Sequence, residues 1–118
     1  MSTRSRADLV TKILEKLGVV PEGQTPEVED TARVDRNLPS LLVQLMAEEI
    51  IYVPDIENIP EQWFLSLGKI GAWEMRNEFG VTGEFEMTLK NGYDEAVRAL
   101  KVMTRGRPTF EPLRTYSF

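Results

Sequence analysis

A chain of 118 residues, 42% hydrophobic and 28% charged, is long enough for one domain with a modest core. It has no cysteine and no histidine, which excludes disulfides, thiol catalysis and thiolate metal sites, and removes the commonest general base. Net charge is −5, but residues 105–118 hold Arg105, Arg107 and Arg114 against Glu111, a balance of +2 that leaves −7 on the rest and disfavours sequence-independent DNA binding by the body.

The segment Met1-Ser2-Thr3-Arg4-Ser5-Arg6 is basic but has no apolar stretch after it, so no secretory signal is expected. No apolar run approaches the ~20 residues of a membrane span. The expectation is a soluble protein that acts inside the cell or in an assembly made there.

Ser5 followed by Asp8 reads as a capping box, and Leu9, Val10, Ile13, Leu14 and Leu17 repeat at helical spacing. Gly18 stands where a left-handed helix stop belongs, so the spacing predicts a helix over about 6–17. Thr25-Pro26 reads as the start of a second helix, with Glu27, Glu29 and Asp30 in its first turn. Its face is read as Val28, Ala32, Asp35, Leu38, Leu42, Leu45 and Met46. Pro39 predicts a kink or break near 35–38, giving one bent helix or two short ones.

Ile50, Ile51, Tyr52 and Val53 have strand propensity without an evident partner, so a short extended connector is expected. A third helix is predicted from Pro60 to about Phe79, apolar over well over half its circumference. Such a helix is either central or presents a face to a partner. Gly68 and Gly71 are read as points of close backbone approach, and Gly80 as its stop. The fourth helix follows Thr82-Gly83, with Phe85, Leu89, Tyr93, Ala96, Leu100 and Met103 in one stripe and Val97 beside it. Acids open it and bases close it, as the helix dipole prefers.

Pro108 and Pro112 bar a regular helix beyond Gly106. Phe110, Leu113, Tyr116 and Phe118 make that stretch too apolar for a solvated tail. The expected architecture is therefore all-α: a small bundle of four to five helices over 1–104, with an extended, non-helical C-terminal arm over 105–118. The arm is read as a protein-interaction element, its aromatics as anchors and Arg105, Arg107 and Arg114 as polar fixers. Folding back over its own helices is the other reading. Trp63 and Trp73, ten residues apart, fall on different helix faces, read either as one in the core and one at an interface or, equally, as both buried.

Glu48-Glu49, Glu74 with Glu78, and Glu27 with Asp30 are local carboxylate pairs, read as solvated surface charge. No phosphate-binding loop or dinucleotide fingerprint is present, so no enzyme activity, cofactor or metal is expected.

The order of elements resembles the head–tail adaptor (head-completion) proteins of tailed bacteriophages, including the connectors of short-tailed phages. The resemblance is carried by Arg6-Ala7-Asp8-Leu9-Val10, Leu14-Glu15-Lys16-Leu17-Gly18-Val19-Val20 and Gly23-Gln24-Thr25-Pro26. It continues through Ile59-Pro60-Glu61-Gln62-Trp63-Phe64, Trp73-Glu74, Phe79-Gly80 and Arg105-Gly106-Arg107-Pro108-Thr109-Phe110-Glu111-Pro112-Leu113. It implies a virion protein at the head–tail interface, made in the host cytoplasm. Its partners would be the portal protein, tail proteins and further copies of itself in a ring, dodecameric in the family. DNA would pass through the channel without sequence-specific contact. A monomeric or dimeric helical binding module is the rival reading.

Overall fold

The computed structural model describes residues 3–105, with side chains through Thr104. Among them the chain forms β1 (Thr3–Arg4), α1 (Arg6–Lys16), α2 (Val28–Ala47), β2 (Ile59–Pro60), α3 (Glu61–Glu74), a 3-10 turn (Arg76–Phe79) and α4 (Glu84–Arg105). The protein is all-α, and its described residues form a four-helix bundle with one two-residue bridge. The arm reading for Arg107, Phe110, Leu113, Arg114, Tyr116 and Phe118 lies outside the described residues. Arg105 belongs to the last turn of α4, so the helix passes the boundary expected at 104.

The capping box of α1 is formed as read. The Asp8 amide donates to Ser5 Oγ (3.1 Å), and the Ser5 amide donates to Asp8 Oδ2 (3.3 Å). At the other end the Val19 amide reaches the Leu14 carbonyl and the Gly18 amide reaches Glu15, with Gly18 at φ 77°. That is a Schellman closure, which needs a left-handed residue at this position. The end of α2 repeats it with Ile50 to Leu45 and Glu49 to Met46, but here the left-handed residue is Glu49, at φ 59°. A stop of this kind without glycine leaves no local signature.

α2 starts at Val28, later than the Thr25-Pro26 reading, with Glu27 as a cap that makes no side-chain hydrogen bond. Its first turn contributes nothing to the core, so packing does not draw the helix back to Thr25. Its buried face is Val34, Leu38, Leu41 and Leu45, while Val28 is 84% exposed. The stripe is rotated from the one expected because α1 lies against that side.

Pro39 neither breaks α2 nor divides it. Proline removes the amide that would have bonded the Asp35 carbonyl. Arg6 of α1 supplies the replacement: its Nη2 donates to the Asp35 carbonyl (3.1 Å) while Nε donates to Asp35 Oδ1 (2.6 Å). The defect in one helix is thus a docking point for another.

α3 is the central helix, packed between α1 and α4. Phe64, Leu67, Gly68, Ile70, Gly71 and Ala72 are all buried, which explains its broad apolar circumference. The two glycines admit side chains rather than a backbone. A Cβ on Gly71 would lie 2.6 Å from Ile13 Cγ1, and one on Gly68 would lie 2.7 Å from Lys12 Cγ. The helix ends earlier than Phe79 because the Trp73 carbonyl is occupied by Arg76 Nη1 (2.8 Å), and the chain tightens into the 3-10 turn.

Residues 50–58 contain no strand, and Ile50 and Ile51 are buried as part of the core. Pairing occurs one segment later, Thr3 opposite Pro60 and Arg4 opposite Ile59, antiparallel. In α4 the centre of the expected stripe is buried (Leu89, Ala96, Leu100), with Tyr93 and Val97 packed against it. Phe85 and Met103, at the two ends, stay exposed.

Candidate interaction surface

Two grooves among the described residues combine buried apolar floors with open apolar walls. The first lies beside the end of α1 and the first half of α4. Phe85, Leu89 and Gly92 line it, Lys16 and Lys69 edge it, and Lys69 Nζ sits 3.2 Å from Glu95 Oε1. Its volume is about 340 Å³.

The second, about 310 Å³, lies where α2 ends and α4 nears its last turn. Met46, Glu49, Ile50, Ile51, Tyr52, Trp63 and Thr104 line it. Ile50 and Ile51 are its buried apolar floor, whereas Met46 (47%) and Tyr52 (61%) stand open to solvent. Met103, one residue before Thr104, is also exposed. The Schellman stop at Glu49 creates this site, because it turns the chain sharply enough to place Ile50 under the helix and Tyr52 beside it. Separate stretches of sequence meet here, so no local pattern announces it.

The tryptophans divide between two environments. Trp73 is held under cations: the Arg76 guanidinium lies 3.4 Å from its ring centroid, Lys90 lies 5.4 Å away, and Tyr93 packs at 6.1 Å. Arg76 Nε also donates to Glu86 Oε2 at 2.9 Å, tying the 3-10 turn after α3 to the start of α4. A cation over the indole face is held by the ring's quadrupole. Both tryptophans are only partly buried, so neither the core placement expected for one nor the burial of both is found; Trp63 lines the second groove.

The carboxylates regroup relative to the pairs read along the chain. Glu74 senses Glu48 across the α2–α3 boundary, and shares a shallow groove with Glu78, Asn37, Ser40 and Gln44. Burial, then repulsion from Glu48, raises the Glu74 pKa above the ordinary 4.5, with Arg76 opposing the shift. The sign follows directly. A carboxyl that binds its proton more tightly when folded loses stability as pH rises from 4.5 through its raised folded value. Glu74→Gln is therefore expected to raise the melting temperature at pH 7 and to lose that advantage below pH ~4, where both side chains are neutral. Thermal melts across this range give the comparison, and an advantage independent of pH would contradict the assignment. Among the described residues, no group of three or more acids gathers as a metal site.

No helix of the described residues is long and apolar enough to cross a membrane. Comparison with protein-family models, curated proteins and solved structures gives no match.

Proposed function

We propose that this protein is a ring-forming head–tail adaptor of a tailed bacteriophage, a non-enzymatic virion component whose arm binds the portal. The observation that supports this reading is an exposed apolar patch near the end of α4. Met46, Tyr52 and Met103 are exposed around the point where α4 delivers the chain to residues 106–118. That segment adds Phe110, Leu113, Tyr116 and Phe118 with Arg107 and Arg114. Large apolar and aromatic groups interleaved with arginine have the composition of an interface core.

The body suits the same role. Its −7 balance repels DNA phosphates, so a duplex could slide past it without adhering. The order of elements from the capped first helix to the Arg-Gly-Arg-Pro stretch supports the adaptor reading further. Serine at Phe110, Leu113, Tyr116 and Phe118 together is expected to abolish binding to portal rings while leaving the helical circular-dichroism spectrum intact. Retained portal binding by this quadruple variant would remove the arm from the interface.

A further inference from the structure

We infer that, before assembly, residues 106–118 dock into the groove at their own root, so that the groove formed by Met46, Ile50, Ile51, Tyr52 and Trp63 stores the arm on the same chain. The inference rests on the reading of the arm as the portal-binding segment only for its consequence, that docking withholds the anchors until a partner competes for them.

Position favours this occupant. Thr104 is itself part of the groove wall, so the segment begins at the site. Phe110 is only six positions further on. Extended chain advances about 3.3 Å per residue, so Phe110 reaches the whole groove and also has slack for a reversal. Gly106-Arg107-Pro108 is a sequence that leaves a helix rather than prolonging it.

Chemistry agrees with position. The floor is aliphatic and the open walls are Met46 and Tyr52, a surface suited to aromatic or leucine side chains. Phe110, Leu113, Tyr116 and Phe118 offer these at short intervals. Glu49 stands in the lining and Glu48 precedes it, opposite in sign to Arg107 and Arg114. Covalent tethering over so few residues gives an effective concentration in the millimolar range. A second copy at ordinary micromolar concentration cannot match that, which selects the chain's own segment.

The full-length chain tests this without disturbing the core. Because the protein has no cysteine, Thr115→Cys gives a single attachment point for a nitroxide spin label. Methyl-labelled protein carrying the nitroxide is expected to lose most of the signal intensity of Met46, Ile50 and Ile51. Leu89, in the other groove, should keep its signal. In an equal mixture of spin-labelled unenriched chain and methyl-enriched unlabelled chain, no site should lose intensity. Loss at these methyls in the mixture as well would overturn the inference in favour of a second copy. Uniform weak loss, loss at other methyls, or none would overturn it in favour of an arm that does not settle here.

A second variant supplies the functional half. Tyr52→Lys on the exposed wall should restore the methyl signals and tighten portal binding. If the methyls report docking but no variant binds portal, the stored arm stands and the adaptor reading falls. If portal binds and the methyls are untouched, the reverse holds.

Discussion

Pro39→Ala is expected to stabilise the protein by about 1–2 kcal/mol, and to make Arg6 less important. A proline inside a helix costs about 3 kcal/mol relative to alanine. Here part of that cost is already offset, because Arg6 donates to the Asp35 carbonyl that Pro39 leaves without an amide. The stiffer unfolded chain of the proline form removes another ~0.4–1 kcal/mol from the gain. Alanine in place of Pro39 restores the helical hydrogen bond, so Arg6 then serves only the Asp35 carboxylate. Arg6→Met should cost about 1–2 kcal/mol in the natural background, chiefly because it leaves the Asp35 carbonyl without a donor, the half-exposed carboxylate being hydrated by solvent. In the Pro39→Ala background the cost should fall by about 1 kcal/mol. Urea melts of the four proteins measure this coupling. Strict additivity, within about 0.5 kcal/mol, would mean Arg6 does not compensate for the proline.

Gly71→Ala is expected to destabilise by about 1–3 kcal/mol, although alanine is the better helix former by about 1 kcal/mol. The added methyl has no room, because Ile13 of α1 fills the notch and is itself fully buried. Ile13→Ala alone should cost about 2–5 kcal/mol by leaving a cavity at the same place. The two changes are complementary in shape. Their combination should cost less than the sum by about 1 kcal/mol or more. A double variant as unstable as the sum would show that α1 and α3 do not interlock through this pair.

These two sites mark the boundary of what is legible in the sequence. The first helix is readable to its caps, since Ser5, Asp8 and Gly18 each act through the backbone within a few residues. The existence of four helices follows from apolar spacing. The face of α2 does not, because Leu38 and Leu45 belong to two overlapping stripes, and only the position of α1 chooses Val34 and Leu41 as their companions. Pro39 is visible as a defect, but its remedy, Arg6, stands 33 positions earlier in the chain. The break after Glu74 depends on Arg76 turning back onto the Trp73 carbonyl, a choice that periodicity does not encode. The β1–β2 bridge spans two residues on each side, too short to leave an alternating pattern.

The interaction surface is half legible. Its candidate anchors are read from composition, since prolines and aromatics in one short stretch suit neither a helix nor a solvated linker, and they lie outside the described residues. The groove at Met46 and Tyr52 is hidden, because Glu49 occupies a left-handed stop usually held by glycine. Without that stop there is no sequence reason to bring Met46, Tyr52, Trp63 and Thr104 together. Trp63 and Trp73 are separable by angle alone, but both are only partly buried, and Trp73 alone carries the cationic stack of Arg76 and Lys90.

Size-exclusion chromatography with light scattering tests the central claim most directly, using the full chain and a chain lacking residues 107–118, each alone and mixed with portal rings from the same source. The adaptor account predicts that the full chain joins the rings at a fixed number of copies per portal, and that the shortened chain, still helical, elutes apart from them. A full chain that never joins the rings would contradict the account and leave a helical binding module with another partner.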